Sequence, residues 1–365
     1  MKKDKIRVGI TQGDINGVGL EVILKSFVDP LMLDLCTPVI YGSPKVAAYH
    51  RKLMDIQTNF SIINSAEESQ DGRVNLVSCM DDDVKVDFAK PDSDAGRYAV
   101  KALEMAVEEY KRGLIDVIVT APFNKQTIQI GEFNFTGHTD YLEKELGNGS
   151  KSLTIMVKED FRFALVTGHV PFTKIASSIT QELIEEKLSI FNQSLRDDFG
   201  IDSPRIAVLS LNPHNGIDGQ LGDEEITVIR PAIRKMISQD VLCYGPFSAD
   251  GLMGSGNFIH FDGILAMYHD QGMAPFKAVA GQSGVNFTAG LPVVRTAPGH
   301  GVGYDIAGKG IADEDSFRQA IYLAIDIYRN RVREKEAHEN PLRRQYYEKK
   351  DDSDKLKLDS TEEEI

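Results

Sequence analysis

Six short apolar segments, most of them ending in a polar or titratable residue, constrain the fold of this chain more than any other feature. They read "IRVGIT" at 6–11, "DVIVTAP" at 116–122, "FALVTGH" at 163–169, "IAVLSLNPH" at 206–214, "GILAMYH" at 263–269 and "LPVVRTAPGH" at 291–300. Apolar character that is continuous rather than alternating is typical of strands covered on both faces. The segments therefore predict a buried sheet of mostly parallel strands.

Amphipathic helical patterns lie between these segments. In "TQELIEEKLSIFNQSLRDDFG", Thr180 is placed to cap the start of a helix and Gly200 to end it. One face of this pattern carries apolar residues at helical spacing: Ile184, Leu188, Phe191 and Leu195. Strands that alternate with helices predict an α/β fold. Because 365 residues exceed what one hydrophobic core usually supports, we expect two lobes.

The composition narrows the classes of partner. A formal net charge of −14 disfavours nucleic acid and anionic membrane surfaces, because both bind basic faces. The sequence contains neither an apolar run of about 18 residues nor the apolar core of a signal peptide, so we expect a cytoplasmic protein. Three widely spaced cysteines, Cys36, Cys79 and Cys243, predict reduced thiols rather than disulfides or a thiolate metal site.

Histidines follow four of the apolar segments, namely His169, His214, His269 and His300, and Thr120 holds the same place in a fifth. Ligands of open α/β sheets bind outside the carboxyl ends of the strands. A single histidine there is most often a loop residue or a satisfied core group. The chain has eight histidines, and the presence of four at strand ends predicts a site.

Three of these histidines, His169, His214 and His269, are spaced along the chain as successive βα units are, which suits convergence in space. Neutral imidazole is the commonest side-chain metal ligand, and three of them leave a position open for substrate. No short-range metal signature such as HExxH is present. A divalent metal site is therefore a hypothesis that competes with isolated loop histidines.

Other residues are suited to a phosphorylated or carboxylated small molecule. His138 and Thr139 precede a helical pattern, where free N–H groups and the helix dipole favour an anion, although Thr139 is alternatively just a helix cap. Lys277, Asn286 and Arg295 add two cations and an amide. Because Arg295 lies within an apolar segment, where an unpaired charge is strongly destabilising, we expect it to have an anionic partner.

Two glycine-rich segments are candidates for nucleotide loops. The first, "GITQGDINGVGLEV", begins like a dinucleotide fingerprint, but Val22 stands where the third glycine belongs, so we reject that interpretation. The second, "HGVGYDIAGKG" at 300–310, supports by itself only a generic phosphate or adenosine contact.

The motifs together resemble the 4-hydroxythreonine-4-phosphate dehydrogenase family of pyridoxal phosphate biosynthesis. The resemblance rests on "GDINGVGLE", "TAPFNK", "GHTDYL", "VTGHVPF", "LNPHNGIDGQLGDEE", "YHDQGMAPFK", "GVNFTAGLPVVRT" and "HGVGYDIAGKG", which follow one another in the family's order. It implies a two-lobed α/β/α fold with mostly parallel sheets, similar to isocitrate and isopropylmalate dehydrogenases. It also implies a homodimer with the active site at the subunit interface.

On this basis we expect residues 1–133 and 293–335 to form the lobe with the cofactor loop. Residues 134–292 are expected to form the lobe for substrate, metal and dimerisation, and 336–365 a charged C-terminal tail.

The resemblance also implies roles for individual residues. The metal ligands are His169, His214 and His269, the last reaching in from the second subunit. The substrate contacts are His138, Thr139, Lys277, Asn286 and Arg295. The cofactor, NAD or NADP, is expected at His300, Gly301 and Asp305. Zinc is the first choice of metal, with cobalt, nickel, manganese or magnesium as alternatives.

The implied reaction is the oxidation of 4-phosphohydroxy-L-threonine at its secondary hydroxyl, with hydride transfer to NAD(P)+. The β-keto acid product loses carbon dioxide and becomes 3-amino-2-oxopropyl phosphate. A metal lowers the pKa of the hydroxyl, and a base must accept its proton. Our hypothesis gives Asp270 or Asp250 the role of base, or of the carboxylate that orients a ligating histidine.

Alternatives stay open at this point. The sequence "TAPGHGVG" departs from the family's usual TSxDHGTA, which leaves the choice between NAD and NADP and the exact substrate undecided. Related enzymes oxidise threonate or erythronate 4-phosphate, or a dihydrodiol carboxylate, and Lys277 with Arg295 favours a phosphorylated substrate. An alternative from another class of enzyme is a metal-dependent hydrolase. Binding of NAD separates the two classes, because a hydrolase would not bind it. A third alternative is a non-catalytic regulator that binds a metabolite, but such a protein would not need both a metal and an acid in one cleft.

Overall fold

The computed structural model describes residues 5–80, 84–129, 133 and 135–339. The strands of this part are β1 Ile6–Thr11, β2 Cys36–Gly42, β3 Phe60–Ile63, β4 Val74–Ser78, β5 Val117–Thr120, β6 Leu153–Lys158, β7 Phe161–Leu165, β8 Ile206–Leu209, β9 Cys243–Phe247, β10 Gly263–Ala266, β11 Val285–Ala289 and β12 Arg295–Pro298. Five of the six predicted apolar segments contain a whole strand, namely β1, β5, β8, β10 or β12, and the segment at 163–169 overlaps β7, which begins two residues earlier.

These strands form one sheet in the order β3-β4-β2-β1-β5-β12-β11-β6-β7-β10-β8-β9. The strand pairs β6–β7, β6–β11 and β11–β12 are antiparallel. The remaining neighbours are parallel, as between β1 and β5 or between β10 and β8. The predicted α/β class with a mostly parallel sheet is therefore confirmed.

Helices cover the faces of the sheet. They are α1 Gly19–Ser26, α2 Met32–Leu35, α3 Pro44–Leu53, α4 Ser93–Lys111, α5 His138–Leu146, α6 Ile175–Ser178, α7 Gln181–Asp197, α8 Arg230–Ile237, α9 Ala249–Gly254, α10 His269–Ala280 and α11 Asp315–Glu339. The helix predicted between Thr180 and Gly200 is α7. The hydroxyl of Thr180 accepts a hydrogen bond from the N–H of Leu183 at 3.2 Å, as a capping residue does.

The predicted lobes correspond to two halves of the sheet. Residues 1–133 with 293–335 would contain β1–β5 and β12, and residues 134–292 would contain β6–β11. The division into lobes stays a prediction. Helix α11 continues to Glu339, past the predicted start of the tail at 336, and residues 340–365 lie outside the described ranges.

Hydrogen bonds lock together the carboxyl ends of β7, β10 and β8, which are neighbours in the sheet. The N–H and hydroxyl of Thr167 both donate to the Met267 carbonyl, at 3.1 and 2.8 Å. The N–H of Met267 donates to Gln271 Oε1 at 2.7 Å, and Gln271 Nε2 donates to the Ser210 carbonyl at 2.6 Å. The segments that follow these strands therefore start from fixed positions.

All three cysteines are buried and free. Burial raises the pKa of the Cys36 and Cys79 thiols to about 12 and that of Cys243 to about 11. Because the thiolate is the reactive form, these residues are inert, as predicted. Among the helices of the described ranges, none has the length and apolar character needed to cross a bilayer.

His50 is a buried histidine on α3 that lies beneath the first glycine-rich segment. Its Nε2–H donates to the Ile15 carbonyl at 3.1 Å, and its ring packs edge-on against Phe88 with centroids 4.9 Å apart. Burial lowers the pKa of His50 from 6.5 to about 4, although the bond to Ile15 opposes the shift. Between these two pH values, His50 therefore binds a proton in the unfolded chain but not in the folded chain.

We expect this histidine to make stability depend on pH. Its contribution is complete above pH 6.5 and is lost as the pH falls toward 4. Urea titration measures the free energy of unfolding of the wild type and of His50→Gln at each pH. The difference between them, in favour of the wild type, should be about 2 kcal/mol smaller at pH 5 than at pH 7. The exposed His260 is the control, because His260→Gln is the same substitution at a histidine that is not buried. A constant difference for His50→Gln contradicts the account.

Candidate active site

His169 and His269 meet at the carboxyl edge of neighbouring strands β7 and β10. Their ring centroids lie 5.5 Å apart. Residue His269 opens α10, and its Nδ1 donates to Asp270 Oδ1 at 2.7 Å. This bond fixes the tautomer, so that Nε2 of His269 carries the lone pair available to a ligand. The predicted pairing of Asp270 with a site histidine is therefore present.

The third predicted metal ligand, His214, lies apart from the other two. It lines a separate cavity of about 730 Å³, together with Asp250 and Asp270. Among the residues that the structure describes, no three histidine, cysteine or carboxylate side chains are close enough to hold a metal ion. Within one chain His169 and His269 are thus in ring contact, whereas His214 lines a different cavity.

A left-handed turn carries His214. The backbone has positive φ at His214 (52°), Asn215 (56°), Gly216 (74°), Ile217 (44°) and Asp218 (52°). Each non-glycine residue in this region costs roughly 1 kcal/mol, so such a run persists only where its surroundings enforce it. Strain of this kind is concentrated at functional sites.

The carboxylate of Glu225 enforces the start of this turn. It is fully buried, and Oε1 accepts the N–H groups of Leu211 and Asn212 at 2.8 and 2.7 Å. Its Oε2 accepts Asn212 Nδ2 at 3.0 Å, and a Cβ added at Gly216 would lie 2.7 Å from it. Sequence analysis missed Glu225, because the "GDEE" in which it stands is typical of a solvated helix start.

Arg295 is a buried cation at the first position of β12, and only 4% of the residue is exposed. Its Nε and Nη2 donate to Thr120 Oγ1 at 3.1 and 2.5 Å, and its Nη1 donates to Thr288 Oγ1 at 3.1 Å. Burial lowers the pKa of the guanidinium to about 10, and no described carboxylate pairs with it. The expected anionic partner is thus absent from the described part of the chain itself.

Arg295 faces a cavity of about 570 Å³ that gathers most of the predicted substrate and metal residues: Thr120, His138, Thr139, His169, His269, Asn286, Arg295, His300 and Gly301. Three buried polar atoms at this cavity have no hydrogen-bond partner in the described ranges, namely His138 Nε2, Asn286 Oδ1 and His300 Nε2. Buried polar atoms without partners are rare, so their concentration here indicates a ligand site.

His138 lies in the first turn of α5, stacked on Phe123 with ring centroids 3.6 Å apart. Burial, and then the charges of Arg295 and Lys125, lower its pKa, so the ring is neutral. The helix begins at His138 after Gly137, and no side chain caps it. The alternative that Thr139 caps this helix is therefore wrong, because Thr139 already lies inside the first turn.

Lys125 is a second residue that sequence analysis missed, although it stands in the motif "TAPFNK". Its Nζ lies 3.2 Å from His169 Nε2 and lines the same cavity. Burial, and then the charge of Lys125, lower the pKa of His169. The neutral imidazole thus accepts from the ammonium at the nitrogen that a metal would use.

Lys277 lies in an adjoining cavity of about 500 Å³ rather than beside Arg295. This cavity also contains Asp305, His300 and Gly301. The Lys277 ammonium donates to the Gly299 carbonyl, and burial lowers its pKa. His300 and Gly301 line both cavities, so the predicted cofactor residues form the boundary between them.

Asp250 belongs to neither of these two cavities. It is exposed on α9 in the cavity of His214. A hydrogen bond from the Ser248 hydroxyl, and then one from the Gly251 N–H, lower its pKa. A larger groove of about 1190 Å³ between α7 and α11 contains none of the predicted residues and holds ion pairs such as Arg331 with Asp198.

Comparison with known proteins gives concordant matches. A family model described as "Pyridoxal phosphate biosynthetic protein PdxA" matches residues 34–324. The chain is 67% identical to a 4-hydroxythreonine-4-phosphate dehydrogenase of Bacteroides thetaiotaomicron, with 100% of each chain covered. It is 34% identical to a putative D-threonate 4-phosphate dehydrogenase of Oceanobacillus iheyensis, covering 88% of this chain and 97% of that one.

A solved structure confirms the fold. The 4-hydroxythreonine-4-phosphate dehydrogenase of Klebsiella pneumoniae matches with a TM-score of 0.77 at 29% identity. The match covers 89% of this chain and 100% of that one.

Proposed function

The chain belongs to the PdxA family of pyridoxal phosphate biosynthetic proteins, and on this premise we propose that it oxidises 4-phosphohydroxy-L-threonine in an NAD(P)-linked, metal-dependent reaction. The proposed product decarboxylates to 3-amino-2-oxopropyl phosphate. The single observation that carries the assignment to an anionic substrate is Arg295, a buried cation without a carboxylate partner among the described residues. The cytoplasmic location predicted from the sequence belongs to this proposal.

An anionic group of the substrate would satisfy the Arg295 guanidinium. The first turn of α5, with His138 and Thr139, faces the same cavity and adds N–H groups and a favourable helix dipole. His138 Nε2 and Asn286 Oδ1, which lack partners, would hydrogen-bond to the rest of the substrate. Together these contacts fix the orientation of the carbon that carries the hydroxyl.

The donor set fits a divalent metal in part within one chain. His169 and His269 lie side by side, and Asp270 orients His269 so that Nε2 is available. Lys125 would have to leave His169 Nε2 when a metal binds there. Three imidazoles suit zinc, with cobalt, nickel, manganese or magnesium as alternatives. A bound metal would supply positive charge that lowers the pKa of the substrate hydroxyl.

A second copy of the chain would bring the third imidazole. His214 lines a cavity with two carboxylates, Asp250 and Asp270, whereas the substrate cavity has three cations against one carboxylate: Arg295, Lys125 and Lys187 against Asp140. These opposite charges favour a homodimer in which the His214 face of one copy approaches the substrate cavity of the other. In this arrangement the histidine donated by the partner is His214, which revises the expectation for His269.

The oxidised cofactor would occupy the adjoining cavity. His300 and Gly301 line both cavities, so the substrate carbon and the nicotinamide ring would meet at these residues. A bound dinucleotide would supply a hydride acceptor for the substrate carbon, and the proton of the hydroxyl would pass to a base of the protein. Asp270 or Asp250 is the proposed proton acceptor, and Asp270 is also placed to hold the His269 ring.

We expect the purified protein to produce reduced nicotinamide when it is mixed with zinc, NAD or NADP, and 4-phosphohydroxy-L-threonine. The reaction is measured by the absorbance of the reduced nicotinamide. A chelator should abolish the signal and added zinc restore it, because the hydroxyl proton is otherwise too weakly acidic. D-threonate and erythronate 4-phosphates are the comparison substrates. Turnover only with these two compounds moves the chain to a related dehydrogenase, and silence with all three at saturating cofactor contradicts the proposal.

The two candidate carboxylates can be separated by matched variants. We expect Asp270→Asn to weaken metal binding about 10- to 100-fold, because the orienting acceptor of His269 Nδ1–H is lost. Asp250→Asn removes the same charge and should leave metal affinity unchanged, while turnover falls if Asp250 accepts the proton. Metal competition assays and turnover against pH distinguish them. Unchanged affinity, rate and pH profile in both variants remove both carboxylates from the mechanism.

A further inference from the structure

The first glycine-rich segment, residues 13–19, has no role in the proposed site, and four of its N–H groups, those of Asp14, Asn16, Gly17 and Val18, donate to acceptors within the protein. The N–H of Asp14 donates to the Pro122 carbonyl at 3.0 Å, and that of Asn16 to Asp14 Oδ1 at 2.9 Å. The N–H of Val18 donates to the Val302 carbonyl at 3.0 Å. These bonds connect the segment to the residues that follow β5 and to the loop that follows β12.

The segment packs directly against the predicted cofactor loop. A Cβ added to Gly17 would lie 2.3 Å from Val302 Cγ1 and 2.6 Å from the Val302 carbonyl oxygen. On the other side, Gly303 has a φ of +66°, and a Cβ there would lie 3.0 Å from a methyl group of Val18. The missing side chains thus let two backbones approach closely, as glycine does at such contacts.

A tyrosine of the cofactor loop crosses this contact. The hydroxyl of Tyr304 donates to Asp14 Oδ2 at 2.6 Å and accepts from Asn124 Nδ2 at 3.4 Å. Only 1% of Asp14 is exposed, and burial raises its pKa, against the opposing effect of the bonds from Tyr304 and Asn16. One phenol therefore joins the cofactor loop to the segments that follow β1 and β5.

The three partners lie between the two cavities of the proposed site. Phe123 and Lys125, the neighbours of Asn124, line the substrate cavity. Gly303 and Asp305, the neighbours of Tyr304, line the adjoining cavity. This cavity suits a dinucleotide in two respects: its glycines admit close backbone approach, and His300 Nε2 has no hydrogen-bond partner within the described ranges.

We propose that Tyr304 is a positioning residue that holds the loop 299–306 ready for the dinucleotide through its hydrogen bond to Asp14. The inference rests on the proposed function, because it concerns the binding of that reaction's cofactor. A loop that is ordered before binding does not lose its conformational freedom on binding, so pre-ordering raises affinity. The glycine-rich segment 13–19 is the support of this loop.

The test compares two tyrosines with the same partner chemistry. Tyr304→Phe removes a hydroxyl bonded to Asp14, and the control Tyr328→Phe removes one bonded to Asp116 at 3.2 Å, on α11 and away from both cavities. The Kd of NAD and NADP is measured by titration calorimetry, with steady-state kinetics and amide hydrogen exchange on the same full-length variants.

We expect Tyr304→Phe to raise the Kd and KM of the dinucleotide about tenfold, as is typical for a lost hydrogen bond to a charged group, with kcat within about twofold. Exchange at residues 299–306 should be faster in this variant alone. Unchanged Kd and exchange, or equal changes in both variants, overturn the proposal. If the wild type binds neither dinucleotide, the proposed function fails, and exchange at 299–306 still decides whether Tyr304 holds the loop.

Discussion

A guanidinium buried among hydroxyl groups, with no carboxylate partner in the part of the chain that the structure describes, is the constraint on which the site depends. Thr120 and Thr288 accept the hydrogen bonds of Arg295 but do not neutralise its charge. An isolated buried charge is strongly unfavourable, so a protein keeps one where a ligand completes it. His138 Nε2 and Asn286 Oδ1 lie at the same cavity and have no hydrogen-bond partner among the described residues, which makes this region complementary to an anionic, hydrogen-bonding molecule.

The sheet explains why these groups can be held so closely. Strands β7, β10 and β8 are neighbours, and hydrogen bonds through Met267 and Gln271 fix their carboxyl ends. His169 and His269 follow two of these strands and meet. His214 follows the third, but the left-handed turn that Glu225 stabilises directs it into another cavity. A site that one chain leaves incomplete is the physical argument for a second copy.

Much of the fold could be predicted from the sequence, because continuous apolar runs identify buried strands and polar residues after them identify one edge of the sheet. The strand-end positions of Thr120, His169 and His269 followed from this rule. The rule does not predict the direction that the backbone takes after a strand. For this reason it did not predict that His214 lines a different cavity from His169 and His269. Asparagine adopts left-handed φ more readily than most residues, but a β-branched residue such as Ile217 does so rarely, and its φ of 44° has no counterpart in residue preferences.

Long-range contacts explain the other differences. Lys277 is separated from Arg295 by the loop that follows β12, which forms the boundary between the two cavities. Lys125 and Glu225 gain their roles from residues far along the chain or from burial, and nothing local distinguishes them from solvated charges. That the first glycine-rich segment has no nucleotide role stays a prediction, and its close contact with Val302 could not be read from the sequence because only the folded chain contains it.

The most direct test of the central claim is a comparison of the wild type with Arg295→Gln and a control variant, Arg162→Gln. Arg162 is a second buried arginine, but it has a carboxylate partner, Asp160. Binding of 4-phosphohydroxy-L-threonine to the zinc-loaded protein is measured by calorimetry, and unfolding of the unliganded protein by urea. Because Arg295→Gln removes the cation that pairs with the substrate, this variant alone should bind the substrate roughly a hundredfold or more weakly. Its free energy of unfolding without ligand should not fall. Undiminished binding, or a large loss of stability without ligand, would show that the guanidinium serves the fold rather than an anionic substrate.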